Sequence, residues 1–204
     1  MKAYLAAWSI LGFVALAAAG CTSLQRNYGP LPDGSSSPTG SPSSSGSASP
    51  APTPSSCATQ NPAATLIAMV SFITATPDPT YGTIAGYAFV STDGTAPVVA
   101  EPLTVTAGTV VQFQNCEESA TPLIYHSAAG FPGATSFPAV PYTFPSADIR
   151  PVGAQIGSAA WSTGLIAPGC FSQSFTAGAA GTYFFGDVGY YDLGNVRDVF
   201  VVSP

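Results

Sequence analysis

Residues 57–204 predict an all-β fold, a sandwich or a barrel, and three observations carry that reading. The stretch is rich in Val, Thr, Phe and Tyr, side chains that suit a pleated, half-buried surface. Gly and Pro cut it into short runs, so the elements are short and the turns many. No segment of useful length combines a 3.6-residue apolar period with helix-favouring residues. The stretch is long enough for one domain with its own core, and it contains no internal repeat.

The chain ahead of this domain divides into a leader and a tether. Lys2, the apolar run of residues 3–19 and then Gly20-Cys21 follow the order of a bacterial export signal, which places a signal peptide at residues 1–20. Ala18-Ala19-Gly20-Cys21 resembles the lipobox of bacterial lipoproteins, with Ala18 where Leu is usual. That resemblance implies that Cys21 becomes the lipidated first residue of the mature chain. An uncleaved membrane anchor is the alternative, but the run falls short of the about 20 apolar residues a spanning helix needs. Either way the domain is exported and tethered, facing the periplasm or the extracellular side. Residues 21–56 are mostly Ser, Pro, Gly, Thr and Ala, as in "GSSSPTGSPSSSGSASPAPTPSS". Such a segment has too few apolar side chains to offset the entropy of ordering its backbone, and it reads as a disordered tether. A glycosylated Ser/Thr stalk has the same composition.

Within the domain, "TLIAMVSFIT" and "TIAGYAFVST" read as two strands joined through the Pro77-Asp78-Pro79 turn. In "PLTVTAGTVVQFQN" the apolar residues alternate, Leu103 and Val105 before the Ala107-Gly108 turn and Val111 and Phe113 after it, the period of half-buried strands. In "TGLIAPGCFSQSFTAGAAGTYFF" a Pro168-Gly169 turn precedes a strand over 171–176, with Phe171 and Phe175 expected on one face. A Gly-rich turn then leads to a strand from Thr182, and Val199, Phe200, Val201 and Val202 form the closing strand.

The order of "LTVTAGTVVQFQN", a His soon after, "STGLIAPGCFSQSFT", "GTYFFGD" and a terminal Val-rich strand resembles the cupredoxin family, the small blue copper proteins of the plastocyanin kind. The resemblance covers roughly residues 101–204 and lies in the succession of motifs rather than in any one of them. It implies a Greek-key β-sandwich with one His ligand after the third strand and a Cys, a His and a Met in the last loop. His126, in "TPLIYHSAAG", falls near the place of the first ligand. The ungapped spacing of the last loop falls on Asp187, Tyr190 and Asn195, none of which is the family's ligand.

Type-1 copper depends on a thiolate, two imidazoles and a weak axial group. With one imidazole and no thiolate in place, the blue site is expected to be lost or heavily altered. His126, Asp187 and Tyr190 could hold a harder ion weakly; alternatively Asp187 and Tyr190 simply finish a loop by hydrogen bonding. Copper is therefore the cofactor that the resemblance implies, and the ligand set argues that none is held.

Neighbouring strands in the cupredoxin sandwich imply a Cys116–Cys170 disulfide, the default state of paired thiols in an exported chain. Cys57 is then left over: free, joining two chains, or displacing one member of that pair. The stretch 131–161 is long, Pro-rich and aromatic, with Phe131, Phe137, Tyr142, Phe144 and Trp161. Its rings either present a protein- or glycan-binding surface, for which Tyr142, Phe144 and Trp161 are the candidates, or turn inward to cover the open end of the sandwich.

The charge balance excludes more than it proposes. Beyond Lys2 the only basic residues are Arg26, Arg150 and Arg197, against ten acidic ones, so binding to a nucleic-acid backbone is excluded. No nucleophile-elbow triad, zinc spacing or phosphate loop is present, so the chain is not expected to be an enzyme. Glu117 and Glu118 are adjacent and read as surface. The function expected is binding or structural, in a lipid-anchored, exported domain whose copper site is lost. The rival is an atypical copper-binding or electron-transfer protein built on His126 and altered loop ligands. A third reading is an extracellular glycan-binding module.

Overall fold

The computed structural model describes residues 57–70, 73–90, 99–117 and 123–204. The leader, the lipidation candidate Cys21 and the tether lie outside these residues. Among these described residues thirteen strands follow in chain order. The first four are β1 (Thr65–Met69), β2 (Thr76–Asp78), β3 (Gly82–Ile84) and β4 (Tyr87–Phe89). Then come β5 (Leu103–Thr106), β6 (Val110–Asn115), β7 (Ala129–Gly130), β8 (Pro151–Val152) and β9 (Gln155–Ile156). The last four are β10 (Ser162–Thr163), β11 (Phe171–Ala177), β12 (Gly181–Gly186) and β13 (Arg197–Ser203). One helical turn, α1 (Tyr191–Gly194), sits between the final two strands.

These strands build two sheets, ordered β4-β1-β6-β11-β9 and β5-β13-β12-β7-β10-β8, with β2 and β3 paired as a separate hairpin. The chain changes sheet between β4 and β5, β5 and β6, and β6 and β7, then at every step from β8 to β12. Parallel pairings of β1 with β6 and of β5 with β13 bring the first strands beside later ones. The protein is an all-β Greek-key sandwich. The alternation in the sequence survives intact in β5, where Leu103 and Val105 are buried and Thr104 and Thr106 exposed.

Between the sheets lies an aromatic core. Tyr87, Phe113, Trp161, Phe175, Phe185 and Phe200 are all fully or almost fully buried. Phe113 meets Tyr87, Phe175, Phe185 and Phe200 edge to face, with centroids 6.1 to 6.3 Å apart. Such pairs each add about 0.5–1.5 kcal/mol beyond the area they bury. Trp161 is 1 % exposed, so it is a core residue rather than a partner-binding one. It fills the space left above Gly130, where any Cβ would collide with the indole nitrogen.

Two further expectations are corrected. A β-bulge between Phe171 and Ser174 shifts the register of β11 on β6, so that Phe171 stands opposite Gln114 while Phe175 stands opposite Val111. Because the side-chain period is two, one extra residue turns Phe171 to the outer face and leaves Phe175 in the core. The disulfide joins Cys57 to Cys170, not Cys116 to Cys170. The start of the domain runs antiparallel beside β11, pairing Ala58 with Phe171, and this delivers Cys57 to Cys170. Cys116 is buried instead in a separate cluster with Ala68, Val70, Ile73 and Ile84, whereas Cys170 packs against the main core. From Cys57 the chain crosses the outer face of β6 and β11, held where Gln112 donates to the carbonyl of Thr59 and Asn61 donates to Ser174 Oγ.

Candidate functional site

The site forms where the last loop meets the segment before β7, at one end of the sandwich. Asn115, the last residue of β6 and wholly buried, organises it. Its Nδ2 donates to the carbonyls of Ile124 and Ile166, and its Oδ1 accepts from the amide of Glu117. The contact with Glu117 is a local side-chain turn that carries the chain back toward the site. His126 is fixed by its backbone, which exchanges hydrogen bonds of 3.1 and 2.7 Å with Ile166.

Both nitrogens of the His126 ring are then taken. Nδ1 lies 2.7 Å from Asp187 Oδ2 and Nε2 lies 3.0 Å from Glu117 Oε1, with the side chains of His126, Asp187 and Glu117 exposed by 0 %, 0 % and 7 %. Burial alone would lower the imidazole pKa, but the hydrogen bonds and charges of Asp187 and Glu117 prevail and raise it from 6.5 to about 9. At neutral pH His126 is an imidazolium that donates a proton to each carboxylate.

Asp187 is saturated by its surroundings. Oδ2 also accepts from the amide of Ser127 at 3.0 Å, and Oδ1 accepts from the amides of Gly189 and Tyr190 at 2.8 and 3.2 Å. Ser127 Oγ in turn accepts from the amide of Val188 at 2.8 Å. Tyr190 leans against the imidazole, with ring centroids 5.0 Å apart. Its hydroxyl pKa is raised by burial and then by the charges of Asp187 and Glu117. Asn195 takes no part. It closes α1 in the left-handed region at φ 52°, a conformation Asn tolerates better than most residues, and it is exposed.

The structure therefore gathers the metal candidates His126, Asp187 and Tyr190 in one place, and arranges them against a metal. A ligating imidazole must present a lone pair, yet both of these nitrogens carry protons directed at carboxylates. Asp187 accepts four hydrogen bonds within 3.2 Å. Among the described residues no group of three or more His, Cys, Asp and Glu is disposed to hold a metal ion. The donor set, one imidazole and two carboxylates with no thiolate, does not fit type-1 copper.

Around the site the aromatic stretch is docked rather than free. Phe131, Tyr142 and Phe144 form a cluster with Tyr191, with centroids 4.9 to 5.9 Å apart. The amide of Tyr142 donates to Asp192 Oδ1, and the Tyr191 hydroxyl donates to the carbonyl of Pro138. The Arg197 guanidinium lies 4.7 Å from the Phe137 ring centroid and 5.6 Å from that of Tyr191. Tyr142 and Phe144 remain half-buried. Sequence reasoning missed Asn115, Glu117 and Ser127. Only a residue's position at the end of a strand signalled Asn115, and nothing in the sequence signalled that Glu117 turns inward.

No protein-family model and no curated protein matches the chain. Among solved structures, a Cu(I) form of a methionine-to-alanine variant of amicyanin is similar at 16 % identity, covering 76 % of this chain and 95 % of that one with a TM-score of 0.39. Auracyanin B is similar at 20 % identity, covering 74 % and 97 %, with a TM-score of 0.38. Reduced auracyanin from Roseiflexus castenholzii is similar at 21 % identity, covering 52 % and 86 %, with a TM-score of 0.35. The scores are low, and the sandwich assignment rests on strand topology.

Proposed function

We propose that this chain is a lipid-anchored, exported domain of the cupredoxin kind with a binding or structural role, in which the type-1 copper site has been replaced by a buried Glu117–His126–Asp187 ion-pair triad. One observation carries the reading: both ring nitrogens of the chain's single His are engaged by carboxylates, at 2.7 and 3.0 Å. Export is supported by the leader-like order of residues 1–21 and by the Cys57–Cys170 disulfide, since such bonds persist in oxidising compartments. The tether carries the domain away from the membrane, and a protein or glycan partner meets it at Tyr142 and Phe144.

The test is the copper content and visible absorption of the full chain after loading with Cu(I) or Cu(II) and exhaustive desalting, beside His126→Ala. A folded, colourless and copper-free protein is expected. Copper retained by the wild type and lost in His126→Ala would overturn the reading in favour of an atypical copper protein.

A further inference from the structure

We infer that the Glu117–His126–Asp187 triad is the pin that closes this end of the sandwich, tying three separate segments through the imidazole ring as a bridging metal ion would; the inference rests on the copper-free reading of the site. Glu117 follows β6 in one sheet, whereas His126 precedes β7 and Asp187 follows β12 in the other. The ring thus links a loop of the first sheet to two segments of the second. Asp187 passes the connection on to the backbone of Ser127, Gly189 and Tyr190.

The charges explain why a His can do this. Two carboxylates converging without a cation would repel each other, and the imidazolium between them neutralises one unit of charge. The remaining unit is shared between Asp187, solvated by three backbone N–H groups, and Glu117, which keeps 7 % of its side-chain surface in water. A divalent cation bound through either ring nitrogen would have to displace the proton there and the carboxylate that it faces.

Melting temperature and amide hydrogen exchange of the full chain decide the matter for Glu117→Gln, His126→Gln and the double variant, each with and without Cu(II), Zn(II) or chelator. His126→Gln is expected to lower the melting temperature by about 10 °C, the usual consequence of leaving a buried charge unpaired in a domain of this size. Glu117→Gln, at the rim, lowers it less and is expected to fold in any case. The double variant falls no further than His126→Gln alone, because both single changes break one unit. Exchange rises at the amides of Ser127, Gly189 and Tyr190. Unchanged melting and exchange in Glu117→Gln and His126→Gln would overturn the pin, whatever metal does. If the variants melt early but Cu(II) or Zn(II) raises the wild-type melting temperature, the pin stands and the copper-free reading fails.

Discussion

Asp187 Oδ2 lies 2.7 Å from Nδ1 of His126, and neither side chain reaches solvent. Where the cupredoxin resemblance leads one to expect a metal between the last loop and its neighbour, the imidazole donates a hydrogen bond to the carboxylate instead. The consequences are measurable.

Stability should fall on the alkaline side. The folded pKa of His126 is about 9 against 6.5 unfolded, so its contribution is fully present below about pH 6.5 and is lost as pH rises through 9. A displacement of that size corresponds to something on the order of 3 kcal/mol. Chemical denaturation at intervals from pH 6 to 10 should show a decline that His126→Gln lacks, and parallel curves for the two proteins would refute it.

Cys57→Ser should destabilise strongly. The bond spans 113 residues in sequence. The chain-entropy estimate for a loop of that length is about 5 kcal/mol, which translates into a drop on the order of 10 °C or more. Cys170→Ser should lower the melting temperature at least as much as Cys57→Ser, since it removes the same bond and also the packing of Cys170 against the core. A wild-type melt in either variant would mean that this pairing does not form.

Asp198 should be a source of instability at neutral pH. It projects from β13 into the core, with no solvent exposure, and its Oδ2 finds no hydrogen-bond partner among the described residues. Burial drives its pKa well above the usual carboxylate range, against the opposing effect of the Val199 amide. A raised folded pKa means that the contribution is present below about pH 4 and is lost as pH rises through the folded value. Asp198→Asn removes that dependence, so the variant should melt higher than the wild type at pH 8 and gain less at pH 5. A lower melt at pH 8 would contradict this account.

Trp161→Ala should damage the fold rather than a binding surface. Losing so large a core ring costs about 3–5 kcal/mol, and Gly130→Ala, whose new Cβ would press on the same indole, costs about 1–3 kcal/mol. Tyr142→Ala, at a half-buried ring, should be milder and should be the variant that loses retention on a partner or glycan. A Trp161→Ala protein with wild-type melting would remove that residue from the core.

The sequence by itself determined the all-β class, because a period-two pattern such as Leu103, Val105, Val111 and Phe113 leaves a strand one face to bury, in a sandwich or a barrel. It also placed His126, Asp187 and Tyr190 as neighbours, through a succession of motifs that resembles the cupredoxins. What tertiary structure alone decided was what those side chains meet. Glu117 has the look of a surface residue until the Asn115 side chain turns its backbone inward, and a local pattern cannot show a partner nine residues away across a loop. Cys170 chose Cys57 over the nearer Cys116 because disulfides follow Cα placement and side-chain direction, set here by the pairing of Ala58 with Phe171. Trp161 and Phe171 look equally able to face in or out until a glycine vacancy draws one inward and a bulge turns the other outward. Period and composition record how much each residue prefers burial; which of several candidates is buried, and against what, is settled by the long-range contacts that close the two sheets.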